Sequence, residues 1–391
     1  MKFDFDKVVD RHGTKCLKYD FAKERGRSDD MLPLWVADMD FQTAPGIQKS
    51  LSDAVAHGIY GYSEGKDDYF QAAAGWYEKH FGWKVEKEWL IKTPGVVFAL
   101  AMAVKAYTKE GDAVLLQQPV YYPFSEVITD NHRRLINSPL QQIDGHYEIN
   151  FEEFEQKIVE ENVKLFLMCS PHNPVGRVWK EWELRKIGDI CLKHNVLVVS
   201  DEIHSDFTYG ENIHHVFASL DEKYAAITTT CTAPSKTFNI AGLQISNIWI
   251  SNPELRARFQ AEVTAAGYSQ VNLMGLVACQ AAYETGEEWL KELKTYLEGN
   301  LDYVRTFLKE NLPEIKLTEP EGTYLLWLDF KSLGMKEEQL KDLVENKAKL
   351  WLDSGAMFGP DGEGFERINI ACPREILKQA LTQLAESVHD R

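Results

Sequence analysis

Five short stretches are almost continuously apolar or β-branched: AVLLQQP (113–119), KLFLMCS (164–170), VLVVSDEI (196–203), AAITTTCT (225–232) and ISNIWIS (245–251). Runs of this length without polar alternation predict strands buried on both faces. Between them, EEFEQKIVEEN (152–162) and KEWELRKIGDICLKHN (180–195) carry helical periodicity, with acids early and basic residues late, as the helix dipole favours. Strand and helix in alternation predict a mostly parallel sheet covered by helices on both faces. From about residue 286 the pattern changes. A long amphipathic helix (EEWLKELKTYLEGNLDYVRTFLKENL) precedes a β segment (TYLLWLDF), a further helix, a second β segment (ERINIAC) and a final helix. That order predicts a smaller α+β domain behind a connecting helix. No low-complexity linker or internal repeat interrupts the chain.

A length of 391 residues exceeds what one hydrophobic core usually serves, in keeping with a large α/β domain and a smaller companion. Charge narrows the partners. With 43 basic against 60 acidic residues the net charge is −17, which repels nucleic acid and anionic membrane surfaces. The opening MKFDFDKVVDRHG has acids where a signal peptide needs a basic stretch and an apolar core, so a soluble, cytoplasmic protein is expected. Six scattered cysteines form no C-x-x-C pair, and the histidines form no H-E-x-x-H, so neither a disulfide framework nor a metal site is expected.

Ligands of parallel α/β sheets bind beyond the carboxyl ends of the strands. Three predicted strands run there into polar residues: SPHNPVG with Asn173, SDEIH with Asp201 and His204, and APSKTFN with Lys236. Lys236 is the only charge in TTTCTAPSKTFNIAG (228–242). A lysine and an aspartate reaching one pocket suit pyridoxal phosphate chemistry. The amine condenses with the cofactor aldehyde, and the carboxylate keeps the pyridine nitrogen protonated so that the ring accepts electrons.

SPHNPVG, SDEIHSDF and APSKTFNIAG occur in that order, preceded by YGYSEG, PGVVFAL and QPVYYPF and followed by EGTYLLWLDF and RINIACPR. In these motifs, along essentially its whole length, the chain resembles fold type I pyridoxal phosphate enzymes, the aspartate aminotransferase superfamily. DKVVDRHGTKCLKYD, LPLWVADMDF and HGIYGYSEG carry a narrower resemblance, to the cystathionine β-lyase branch of carbon–sulfur lyases. The resemblance implies a large α/β domain (50–285) with a mostly parallel, seven-stranded-type sheet sandwiched by helices. It also implies a smaller α+β domain (286–391), with an N-terminal segment (1–49) packing on it.

Carried over motif by motif, the resemblance implies that Lys236 holds the cofactor aldehyde and shuttles the substrate's Cα proton, and that Asp201 pairs with the pyridinium nitrogen. Asn173 would hydrogen-bond the ring hydroxyl oxygen, and Tyr121 would stack on the ring, with Tyr122 adjacent. His204, one helical turn beyond Asp201, would support that carboxylate or serve structure alone. The phosphate is expected at a helix N-terminus, on the N–H groups of Val96 and Val97 after Gly95, with the Ser235 hydroxyl beside it. Tyr62 would reach the phosphate of the other subunit, with Tyr60 ranked second, making a homodimer with shared active sites. Arg367, with Asn173, would hold the substrate carboxylate in a two-pronged grip that lysine cannot reproduce. Tyr324 is read mainly as packing. Ala233 and Gln244 stand where many aminotransferase relatives have serine and a basic residue.

These residues serve two reactions. Loss of a thiolate from Cβ gives pyruvate and ammonia; return of the proton to the cofactor gives transamination. The branch resemblance favours the lyase acting on L-cystathionine or related cysteine S-conjugates, with an aminotransferase, and a regulatory binding protein that keeps the fold, as alternatives.

Overall fold

The computed structural model describes residues 2–390. Its strands, in chain order, are β1 (Leu32–Pro33), β2 (Leu90–Thr93), β3 (Ala113–Leu116), β4 (Arg134–Asn137), β5 (Gln141–Ile143), β6 (His146–Glu148), β7 (Val163–Cys169), β8 (Leu197–Asp201), β9 (Thr228–Thr232), β10 (Ser246–Trp249), β11 (Lys316–Thr318), β12 (Leu325–Asp329), β13 (Leu350–Trp351), β14 (Asp353–Ser354) and β15 (Phe365–Asn369).

Seven of them form the central sheet, in the order β2-β10-β9-β8-β7-β3-β4. Strands β9, β8, β7, β3 and β4 are parallel, whereas β10 is antiparallel to both β9 and β2. The five expected strands are all present. Strands β2 and β4 were not anticipated: LIKT and RLIN alternate in burial because they lie at the two edges. Helices cover the sheet on both sides, and two apolar clusters fill the layers. One gathers Val114, Leu165 and Val199 with the helix Val96–Tyr107; the other gathers Leu115, Phe166 and Val198 with Leu184 and Ile187 of the helix Glu181–Lys193. Alternate residues of each strand enter opposite clusters, so a strand buried on both faces must be apolar throughout.

A second, antiparallel sheet, β11-β12-β15-β14, follows the 25-residue helix Glu287–Asn311. That helix buries Leu293, Leu297, Leu301, Val304 and Leu308 in a cluster shared with Leu325 and Ile368. The N-terminal segment ties into the same region. Strand β1 pairs in parallel with β13, and Asn369 donates to the carbonyls of Val36 and Asp38, both at 2.6 Å. The helix Pro45–His57 runs across residues 49 and 50.

Candidate active site

The strand pairings bring the carboxyl ends of β2, β7, β8 and β9 and the start of β10 to one edge of the central sheet. The loops leaving that edge carry most of the candidate residues. After β9, Ala233 is extended (φ −159°) and a helical turn, Pro234–Thr237, begins with proline, whose fixed φ suits a first helical position. The turn presents Lys236. Its Nζ donates to the carbonyl of Ala37 at 2.7 Å, and burial pulls its pKa down to about 8 against the opposing charge of Asp38. Arg367 adds to the lowering and Asp201 opposes it. An amine so placed loses its proton far more readily than a surface lysine.

Asp201 ends β8, and its carboxyl accepts a hydrogen bond from the Ile203 N–H at 3.1 Å. Burial raises its pKa to about 7; the Ile203 bond opposes the rise and Glu202 adds to it. Glu202 itself faces elsewhere, accepting from Ser200 Oγ (2.7 Å) and the Phe217 N–H (3.1 Å) and meeting His214 Nε2 at 2.9 Å.

For His204 the two expected roles are support of Asp201 and structure alone. It lies in a turn rather than a helix, and among the described residues no hydrogen bond joins it to Asp201. Its ring packs edge-on against Tyr324 at 5.8 Å; burial, with Lys236 and Arg367 nearby, lowers its pKa to about 3, and Nδ1 has no partner. It is a neutral imidazole.

Asn173, in the loop after β7, accepts from Arg367 Nη1 on Oδ1 at 3.0 Å, which leaves its Nδ2 free to donate; its carbonyl accepts from the Tyr121 N–H at 3.0 Å. The structure thus brings Asn173, Tyr121 and Arg367 together from three distant parts of the chain. Tyr121 is half-buried, and its ring lies 5.0 Å from that of Tyr122. Tyr324 does pack, on Phe207, yet its hydroxyl also donates to the Ala37 carbonyl at 3.1 Å, the same oxygen that holds Lys236.

The helix Val96–Tyr107 starts after Gly95 with no side-chain cap, so the N–H groups of Val96 and Val97 remain available to an anion. Ser235 is half-buried on the turn that carries Lys236, and Gln244 is exposed in a left-handed conformation (φ 49°). Tyr62 is 94% exposed and Tyr60 61% exposed, beside Ile59. Within one chain, neither is packed in with the buried candidates.

Four contributors were not singled out from the sequence. Ala37 and Asp38 lie in LPLWVADMDF, a stretch noticed only for its resemblance. Asp353 pairs with Arg367 across β14 and β15. Arg177 is buried and binds Glu183 Oε2 at 2.9 Å and Glu321 Oε2 at 2.8 Å, tying the Asn173 loop to its flanking helix and to the loop before β12. A cavity of about 520 Å³ opens beside Lys236, with Arg11, Asp38 and Asn239 among its walls.

The family model for aminotransferase class I and II matches residues 30–384. The chain belongs to the class I and II aminotransferase family. Within that family it is 43% identical to the cystathionine β-lyase PatB of Bacillus subtilis (strain 168), over 97% of this chain and 98% of that protein. It is 33% identical to the protein MalY of Escherichia coli (strain K12), over 99% of each. Among solved structures, cystalysin from Treponema denticola, which contains a pyridoxal 5′-phosphate cofactor, superposes with a TM-score of 0.96 at 39% identity over 100% of each chain. The pyridoxal phosphate-bound C–S lyase of Staphylococcus hominis gives 0.93 at 34% identity, covering 99% of this chain and 98% of that one. The class I and II fold is therefore shared over the full length, with relatives that include a cystathionine β-lyase and C–S lyases.

Proposed function

We infer that the chain is a pyridoxal 5′-phosphate-dependent carbon–sulfur β-lyase that cleaves L-cystathionine or a related cysteine S-conjugate, releasing a thiol (homocysteine from cystathionine), pyruvate and ammonia. The observation that carries this is the Lys236 amine, with its pKa drawn down to about 8 beside the buried Asp201, in a chain 43% identical end to end to a cystathionine β-lyase.

The residues present fit the cofactor. Asp201 is a carboxyl whose pKa burial raises, with Lys236 only partly opposing the rise, and a pyridinium N–H would favour its charged form. Among the described residues, His204 Nδ1 is a buried polar atom without a partner, and the helix start at Val96 has no side-chain cap. On this basis Lys236 would bond the aldehyde, Asp201 the ring nitrogen and Asn173 Nδ2 the ring oxygen. Tyr121 would stack on the ring, with His204 alongside, while Val96, Val97 and Ser235 would hold the phosphate. The bound cofactor makes a substrate's Cα proton acidic by drawing electrons into its ring. Lys236 Nζ is the base for that proton, and Arg367 holds the substrate carboxylate so that Cα faces Nζ.

The working unit is taken to be a cytoplasmic homodimer, since the exposed Tyr62 has work only if a second chain receives it. Residues 50–285 would form the cofactor-binding domain and 286–391 the smaller one, with 1–49 packed against the latter. No helix among the described residues is long and apolar enough to cross a membrane. An aminotransferase is the second reading, supported by the match to a putative aminotransferase from Clostridium difficile at 42% identity; it requires a keto-acid acceptor for turnover. Pyruvate release from L-cystathionine, with and without an added keto acid, separates the two.

A further inference from the structure

Arg367 is 2% exposed, and its guanidinium is engaged on most sides. Nη1 donates to Asn173 Oδ1 at 3.0 Å, and Nη2 donates both to the Trp35 carbonyl at 2.8 Å and to Asp353 Oδ2. Phe358 lies under Cζ at 4.9 Å, and Nε, though buried, has no partner among the described residues. A guanidinium grips a carboxylate with two N–H bonds that lie side by side, either Nη1 with Nη2 or Nε with Nη2. Both arrangements need an Nη2 hydrogen, and both Nη2 hydrogens are taken.

One partner must therefore yield before a substrate carboxylate can be held by two bonds. The Trp35 carbonyl belongs to backbone fixed on either side: Leu34 N–H donates to Trp351 O at 2.9 Å, and Asn369 donates to Val36 O at 2.6 Å. Asp353 holds Arg367 through a side chain that can rotate. It is 3% exposed, and among the described residues that side chain has no hydrogen-bond partner except Arg367. Burial also raises the Asp353 pKa, opposed by Arg367 and Arg27, so the carboxylate is itself poorly accommodated away from its partner.

Taking Arg367 as the substrate-carboxylate anchor, as above, we propose that Asp353 is a resident counter-ion that occupies the anchor between turnovers and is displaced by the incoming carboxylate. A buried arginine left without a counter-ion is strongly disfavoured, so Asp353 keeps the empty site paired. Binding then exchanges one carboxylate for another, and the site's hold on substrate is weakened by the bond that must break. Asp353 thereby sets carboxylate affinity without touching the bond that is cleaved.

The test uses the holoenzyme and two readouts: KM for L-cystathionine, and the competitive inhibition constant of propionate, a carboxylate with no amine to react. Asp353→Asn should lower both by about tenfold, the ratio that a 1.4 kcal/mol change in binding produces. Unchanged or raised values would overturn the displacement and leave Asp353 as a residue that merely orients Arg367. Arg367→Lys serves as the control for the anchor: it should raise the propionate constant, and no change there would overturn the anchor assignment independently of Asp353. Should Asp353→Asn fail to fold, a crystal structure of the wild-type protein with propionate decides. Asp353 released from Nη2 supports the displacement; Asp353 still bonded to Nη2 beside a propionate held by Arg367 overturns it.

Discussion

Lys236 and Ala37 lie 199 residues apart in the chain, and a 2.7 Å hydrogen bond joins the side-chain amine of one to the backbone carbonyl of the other. The N-terminal segment is therefore a wall of the site. It also places Asp38, the next residue, where its charge holds the Lys236 pKa up against burial. Cofactor capture by the apoprotein needs the neutral amine, so its rate should rise with pH through about 8 and then level off. Asp38→Asn removes a charge that favours the protonated amine, so the midpoint should move to lower pH. Stopped-flow absorbance after mixing apoprotein with pyridoxal phosphate measures it; a midpoint that stays put or moves upward contradicts the electrostatic role.

Asp201 has a folded-state pKa raised to about 7 from an ordinary 3.8. Between those values the folded apoprotein keeps a proton that the unfolded chain has lost, so this group's contribution to stability falls as pH rises from about 4 to 7. Asp201→Asn should remove that slope and leave the apoprotein more stable than wild type at pH 8 by up to a few kcal/mol, at about 1.4 kcal/mol per pKa unit. The same variant should lose most of its lyase activity. Denaturant melts of both apoproteins at pH 5 and pH 8 check the first effect; parallel pH dependences would contradict it.

Much of this site was legible because its residues sit in short local motifs at strand ends, where a buried apolar strand gives way to one functional side chain. Asp201 and Lys236 are of this kind. The edge strands β2 and β4 were missed because half-buried alternation over four residues is a weak signal. His204 follows Asp201 in a turn, and sequence spacing does not say which way its ring faces. Ala37 acts through its backbone, which no side-chain pattern reveals. Asp353 and Arg177 act through partners fixed only by tertiary structure: strand register sets Asp353 opposite Arg367, and 144 residues separate Arg177 from Glu321.

Arg177 is buried between two carboxylates and carries the loop that presents Asn173. Arg177→Ala leaves Glu183 and Glu321 without their cation and should destabilise the protein by about 3–5 kcal/mol. Arg177→Lys should recover only part of this, since one ammonium cannot span both acids. Thermal unfolding of the two variants ranks them; a surface-like loss of under about 1 kcal/mol for Arg177→Ala would contradict the assignment.

Tyr62, almost fully exposed in a single chain, is expected to act on the partner's site. Tyr62→Ala and Lys236→Ala should each be nearly inactive alone. Hybrid dimers of the two should regain activity, because one site then has both an intact Lys236 and an intact Tyr62. Co-expression with two affinity tags isolates the hybrid; an inactive hybrid would place Tyr62 in its own chain's site, and a fully active Tyr62→Ala homodimer would place it outside catalysis.

The carbon–sulfur lyase assignment meets its most direct test in one assay: pyruvate released from L-cystathionine by the purified holoenzyme, with no keto acid present and with Lys236→Ala as control. Sustained pyruvate and free thiol in equal amounts from the wild type, and neither from the variant, is the predicted result. Turnover that begins only when a keto acid is added would contradict the lyase and leave an aminotransferase.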